Sequence, residues 1–109
     1  MPAYFVDELL LIAPLRHSVG VRLFGEVVGV HKAPLSRAVA ERTRETVEIT
    51  VDLTSVHYLA NSALETLVAL AQTLHPPQRL HIIACPELGL RQRLAAHAWD
   101  QAETLRLSS

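Results

Sequence analysis

The chain has 109 residues, half of them hydrophobic, with 10 basic against 11 acidic side chains and a formal charge of −1. That balance excludes a disordered chain, and without a basic excess it argues against a dedicated nucleic-acid surface. A single cysteine, Cys85, excludes an internal disulfide and suits a reducing compartment, so the expected location is the cytoplasm. The length predicts one small domain, residues 1–109, able to bury a core without staples. No apolar run approaches the ~20 residues that span a bilayer, and the N-terminus lacks the basic start of a secretory signal.

Leu9–Ala13 is a predicted first strand and Val19–Phe24 a second, with Ser18-Val19-Gly20 turning between them into a hairpin. Pro34 suits the first turn of a helix whose apolar face is Leu35, Ala38 and Val39. Val47, Ile49, Val51 and Leu53 alternate with Glu48, Thr50 and Asp52, the period of a half-buried strand. Residues 54–59 are expected as a short loop. A helix follows over Asn61–His75, where Leu64, Leu67, Val68, Ala71 and Leu74 recur at three- and four-residue steps and Pro76-Pro77 forms the stop. Asn61 and Ser62 are both good helix caps, and Ser62 to Glu65 fits a capping box. Leu80–Ala84 is a fourth strand. Pro86 opens a third helix ending near Trp99-Asp100, and Thr104–Leu107 is a short last strand. The order β-β-α-β-α-β-α-β implies parallel pairing through right-handed crossovers. The expected fold class is α/β: a mixed sheet of about four to five strands with about three to four helices packed against it.

The stretch from Val51-Asp52-Leu53-Thr54-Ser55-Val56 to Tyr58-Leu59-Ala60-Asn61-Ser62-Ala63-Leu64, with Gly25-Glu26-Val27-Val28 before it and Cys85-Pro86-Glu87-Leu88 after it, resembles the STAS domain. That is the fold of anti-sigma factor antagonists and of sulfate-transporter tails, and the resemblance covers about residues 19–107. Its members carry an Asp-Ser-Ser/Thr-Gly-Leu segment at the helix start. Here the acidic position is Ala60, the usual phosphoacceptor serine is Asn61, the glycine is Ala63, and the turn aspartate corresponds to Val28. Asparagine has no hydroxyl, so Asn61 cannot be phosphorylated. Ser62 is left as the neighbouring acceptor, at a helix start whose free N–H groups would suit a phosphate.

The resemblance implies a non-enzymatic interaction module of bacterial signalling. Its partner would be a serine-kinase-type anti-sigma factor, or another protein of a STAS pathway. The expected regulatory positions are Asn61 and Ser62. The expected partner surface is Glu26, Val27, Val28, Val30, Ser55, His57, Tyr58, Ala60, Asn61, Ser62 and Glu65, with the valines forming an exposed apolar patch. An alternative is a STAS-type sensor of nucleotides or lipids, or a scaffold, not tied to a sigma factor. Homodimer formation is open, with the first strand as an edge.

Other residues have plainer readings. His17, His31, His57, His75, His81 and His97 show no ligand spacing, so neither metal nor cofactor is expected, and no partner is apparent for any of them. Cys85 reads as a small buried hydrophobe. Trp99 is read as packing the last helix onto the sheet. Arg91, Arg93 and Arg106 read as solvated. No catalytic set is recognisable.

Overall fold

The computed structural model describes residues 3–108. The strands are β1 (Phe5–Val6), β2 (Leu10–Pro14), β3 (Gly20–Val27), β4 (Glu48–Leu59), β5 (Arg79–Ile83) and β6 (Leu105–Ser108). The helices are α1 (Lys32–Arg42), α2 (Asn61–Gln72) and α3 (Leu90–Ala96). The sheet runs in sequence order, β1-β2-β3-β4-β5-β6. The first two pairings are antiparallel and the last three parallel. Each parallel step is made by one helical crossover, as strands without a hairpin between them require.

The expected mixed α/β sheet is present with six strands. The added one is β1, only two residues long and too short to leave a periodic trace. Alternation dictates the layers. Ile49, Val51 and Leu53 of β4 are fully buried beneath the helices, as are Leu23 of β3 and Leu80 and Ile82 of β5. Leu35 and Val39 of α1 meet them from above with Leu64 and Leu67 of α2, and Leu90 and Leu94 of α3 complete the core. The intervening residues Glu48, Thr50 and Asp52 face the side of the sheet without helices and are half-buried. There Glu48 binds Arg79 at 2.8 Å and His81 at 3.2 Å, and the other nitrogen of His81 meets Ser108 Oγ at 2.7 Å. The guanidinium of Arg79 above all holds the Glu48 carboxyl below its ordinary value.

Four expectations are corrected here. Residues 54–59 are not a loop but the second half of β4, because β3 runs on beside them, in register from Phe24↔Ser55 to Val27↔Leu59. Two register shifts, between Arg22 and Phe24 and between Gly25 and Glu26, absorb the twist. Gly25 is obligatory at the second: its φ is +108°, and a Cβ there would sit 2.1 Å from the carbonyl oxygen of Leu9. The third helix ends at Ala96 rather than near Trp99, and Trp99–Gln101 forms a separate 3-10 turn. Trp99 packs on the core from that turn and stacks on His97 at 4.2 Å. Cys85 is half-buried, its thiol directed at the Thr54 carbonyl oxygen 3.3 Å away.

Candidate functional site

The site forms where β3 and β4 end side by side. Ala60 N–H donates to the Val27 carbonyl at 2.8 Å, so the chain leaves the sheet at a fixed point. Ala60 then takes the cap position of α2 with extended backbone (φ −65°, ψ 150°), and its carbonyl accepts from Ala63 and Leu64. The helix starts at Asn61, as its period predicts, but with Ala60 as its cap, and it ends at Gln72 rather than His75. Asn61 and Ser62 lie inside the first turn, neither caps it, and the expected capping box does not form.

Asn61 is used otherwise. Its side-chain oxygen accepts from Arg93 of α3, from Nη2 at 2.7 Å and Nε at 3.2 Å. The same guanidinium donates to the Leu59 carbonyl at 2.6 Å and to the Leu88 carbonyl at 3.4 Å. Arg93 thus ties together the end of β4, the start of α2 and the turn before α3. It is half-buried rather than solvated, and its fork shape is what lets one side chain serve three acceptors.

The turn after β3 lies across from this helix start. A Cβ added at Gly29 would sit 3.5 Å from Ser62 Oγ, so the turn rests against the first residues of α2. That turn is held from below by His31, a fully buried histidine. Val28 N–H donates to His31 Nδ1 at 3.0 Å, which places the ring proton on Nε2, and Nε2 donates to Asp7 Oδ2 at 2.8 Å. Asp7 Oδ1 accepts from the N–H groups of Leu9 and Leu10, both at 2.8 Å. The bond from Leu10 foremost, and then His31, hold the Asp7 carboxyl below its ordinary value. The β1–β2 turn and the turn at the site are therefore one hydrogen-bonded unit. The expectation that no histidine has a partner is overturned at His31, and at His81.

Of the expected surface residues, Ala60, Asn61, Ser62 and Glu65 share the start of α2. His57 and Tyr58 reach it from the end of β4, lining with Asn61, Glu87, Leu88 and Arg93 a cleft of about 380 Å³. Tyr58 is half exposed, and Glu26 is its neighbour in register. Val30 is 79% exposed at the tip of the turn, with Val28 half-buried beside it. Val27 is not exposed at all: it closes the core at the end of β3, so the three-valine patch shrinks to Val30 and part of Val28. Ser55 stands apart, paired with Phe24 in mid-sheet and bound by Arg22 Nη2 at 3.2 Å. Reading the sequence missed Arg93, His31 and Asp7, because all three reach across the fold from 24 to 34 residues away. An arginine in a helix and a lone histidine give no sign of such reach.

Asp52 bonds within β4 at the first register shift, accepting from the Thr54 N–H at 2.9 Å and from its hydroxyl at 2.7 Å. Among the described residues no three His, Cys, Asp or Glu side chains gather as a metal site requires. No helix among them is long and apolar enough to cross a membrane.

No protein-family model matches the chain, and neither does any curated protein. Among solved structures it is similar to an anti-sigma factor antagonist from Mycobacterium paratuberculosis, with 19% sequence identity over 93% of this chain and 88% of that one. The two superpose with a TM-score of 0.72, and the chain has the STAS fold.

Proposed function

We propose that this protein is a non-enzymatic interaction module of the anti-sigma factor antagonist kind, acting in the bacterial cytoplasm without the phosphoserine switch. Its partner is a serine-kinase-type anti-sigma factor or another protein of such a pathway. The surface it offers is the start of α2 with His57, Tyr58, Glu65 and the Val28–Val30 turn. The observation that carries the reading is the state of position 61. An amide stands at the position that the resemblance gives to a phosphoacceptor hydroxyl, and the Arg93 guanidinium holds its oxygen at 2.7 Å. Ser62, the next hydroxyl, is half-buried beside Gly29. A phosphate brings close to two negative charges to such a surface, and a site that cannot receive them keeps one binding state. The ligand-sensor alternative is less favoured, because the one guanidinium in the cleft is already used on three internal acceptors.

Affinity capture from the native lysate tests this, with wild type beside Tyr58→Asp, a change at a half-exposed side chain on the proposed surface. Capture of an ATP-binding anti-sigma-type kinase by wild type and its loss with Tyr58→Asp is the expected result. A kinase captured equally by both would move the interface elsewhere. Capture of no such protein would remove the antagonist reading.

A further inference from the structure

The helix-free face of the sheet carries a second surface. Along β2 the side chains turned away from the helices are Leu11, half-buried, and Ala13, buried, and the same alternation continues to the exposed Leu9 before the strand and the half-buried Leu15 after it. Register places Val6 and Phe24 on either side of Leu11. Val6 is 68% exposed and Leu9 43% exposed, and neither has an apolar cover. The result is an apolar strip about 20 Å long, from the six steps of extended chain between Leu9 and Leu15. At the far end it deepens into a groove of about 360 Å³, lined by Leu11, Pro14, Leu15 and Phe24 with Arg16 and His17 at the rim.

The two ends of the strip carry opposite charge. Glu8 and Glu26 stand at the Leu9 end, both exposed. Arg16 and His17 stand at the Leu15 end, exposed, with Arg22 stacked over Phe24 beside them. Among the described residues Glu8, Glu26, Arg16 and His17 have no ion-pair partner, while Asp7 is engaged by His31 and Arg22 by Asp52. A strip that is acidic at one end, basic at the other and apolar between is complementary to itself once turned by a half-rotation.

We propose that two copies of this chain associate face to face through this strip, antiparallel about a two-fold axis near Leu11 and Phe24. The Glu8 end of each copy meets the Arg16 end of the other. A strip of this size covers less than the roughly 800 Å² per partner of a standard interface, so the dimer is weak and concentration-dependent. The rim pairs are exposed, so the association weakens as salt shortens the range of their attraction. The strip shares only Glu26 with the surface at the start of α2, and the proposal does not depend on the function assigned to that surface.

Sedimentation velocity across a concentration series tests it, with four forms of the full chain: wild type, Glu8→Arg, Arg16→Glu, and the two changes combined. All of these positions are exposed, so the fold is kept. Wild type is expected to move from monomer towards dimer with rising concentration, and less so at high salt. Each single reversal breaks two symmetry-related pairs and weakens the dimer about tenfold, as two surface pairs turned repulsive would. The combined swap restores wild-type behaviour. A wild type that stays monomeric into the millimolar range overturns the proposal and leaves the strip to another occupant. So does a swap that fails to recover what the single reversals lose.

Discussion

Asn61 and Arg93 act as a pair, and the pair changes what an acidic residue at position 61 would mean. Asparagine offers the guanidinium one neutral oxygen. An aspartate there would offer two charged ones, beside the free N–H groups of a helix start. Asn61→Asp is therefore expected to leave thermal stability unchanged or raised, with its charge answered inside the protein. Arg93→Met strips a partner from the Leu59 and Leu88 carbonyls as well as from Asn61, and is expected to cost about 1–3 kcal/mol. Denaturant unfolding of both variants checks this, and an Asn61→Asp loss as large as that of Arg93→Met would contradict it. Asn61 stood out in the sequence only through the resemblance, which puts it at the position of a phosphoacceptor. Its bond to Arg93 was not legible, since nothing in the spacing of Leu90, Arg91 and Leu94 says which arginine turns inward.

The β1–β2 turn, the turn after β3 and the start of α2 are coupled through Asp7, His31 and Val28. A carboxyl held below its ordinary value contributes stability that is complete above that value and is lost as pH falls through the lowered one. Asp7 lies in that class. Wild type is expected to lose stability from this link below about pH 4, and Asp7→Asn, already uncharged, to lose less over the same interval. Thermal denaturation across the acid range shows the difference, and parallel profiles for the two forms would contradict the coupling. The strand and helix periods were readable because burial follows alternation and helical spacing residue by residue. The length of β4 was not, because Thr54, Ser55, His57 and Tyr58 are polar and join the sheet only through the matching run of β3. The buried position of Val27 escaped for the same reason, since its partner strand is distant in sequence, while β1, at two residues, is too short to show a period.

The parallel half of the sheet, β3 to β6, brings the residues of the proposed partner surface to one corner, while the antiparallel edge β1 to β3 carries the strip proposed for self-association. On the two proposals, a single fold meets a regulator at one surface and a second copy at the other. The fold was readable from the order of elements because each crossover helix forces a parallel neighbour. The function proposed for the α2 corner rests on the chemistry of position 61. The most direct measurement mixes the purified protein with a serine-kinase-type anti-sigma factor that binds it, adds ATP, and follows both complex and phosphate by intact mass, with Asn61→Ser in parallel. Wild type is predicted to stay bound and unmodified, while Asn61→Ser gains one phosphate and dissociates. Phosphate appearing on Ser62 of wild type, with release of the partner, would contradict a module without a switch.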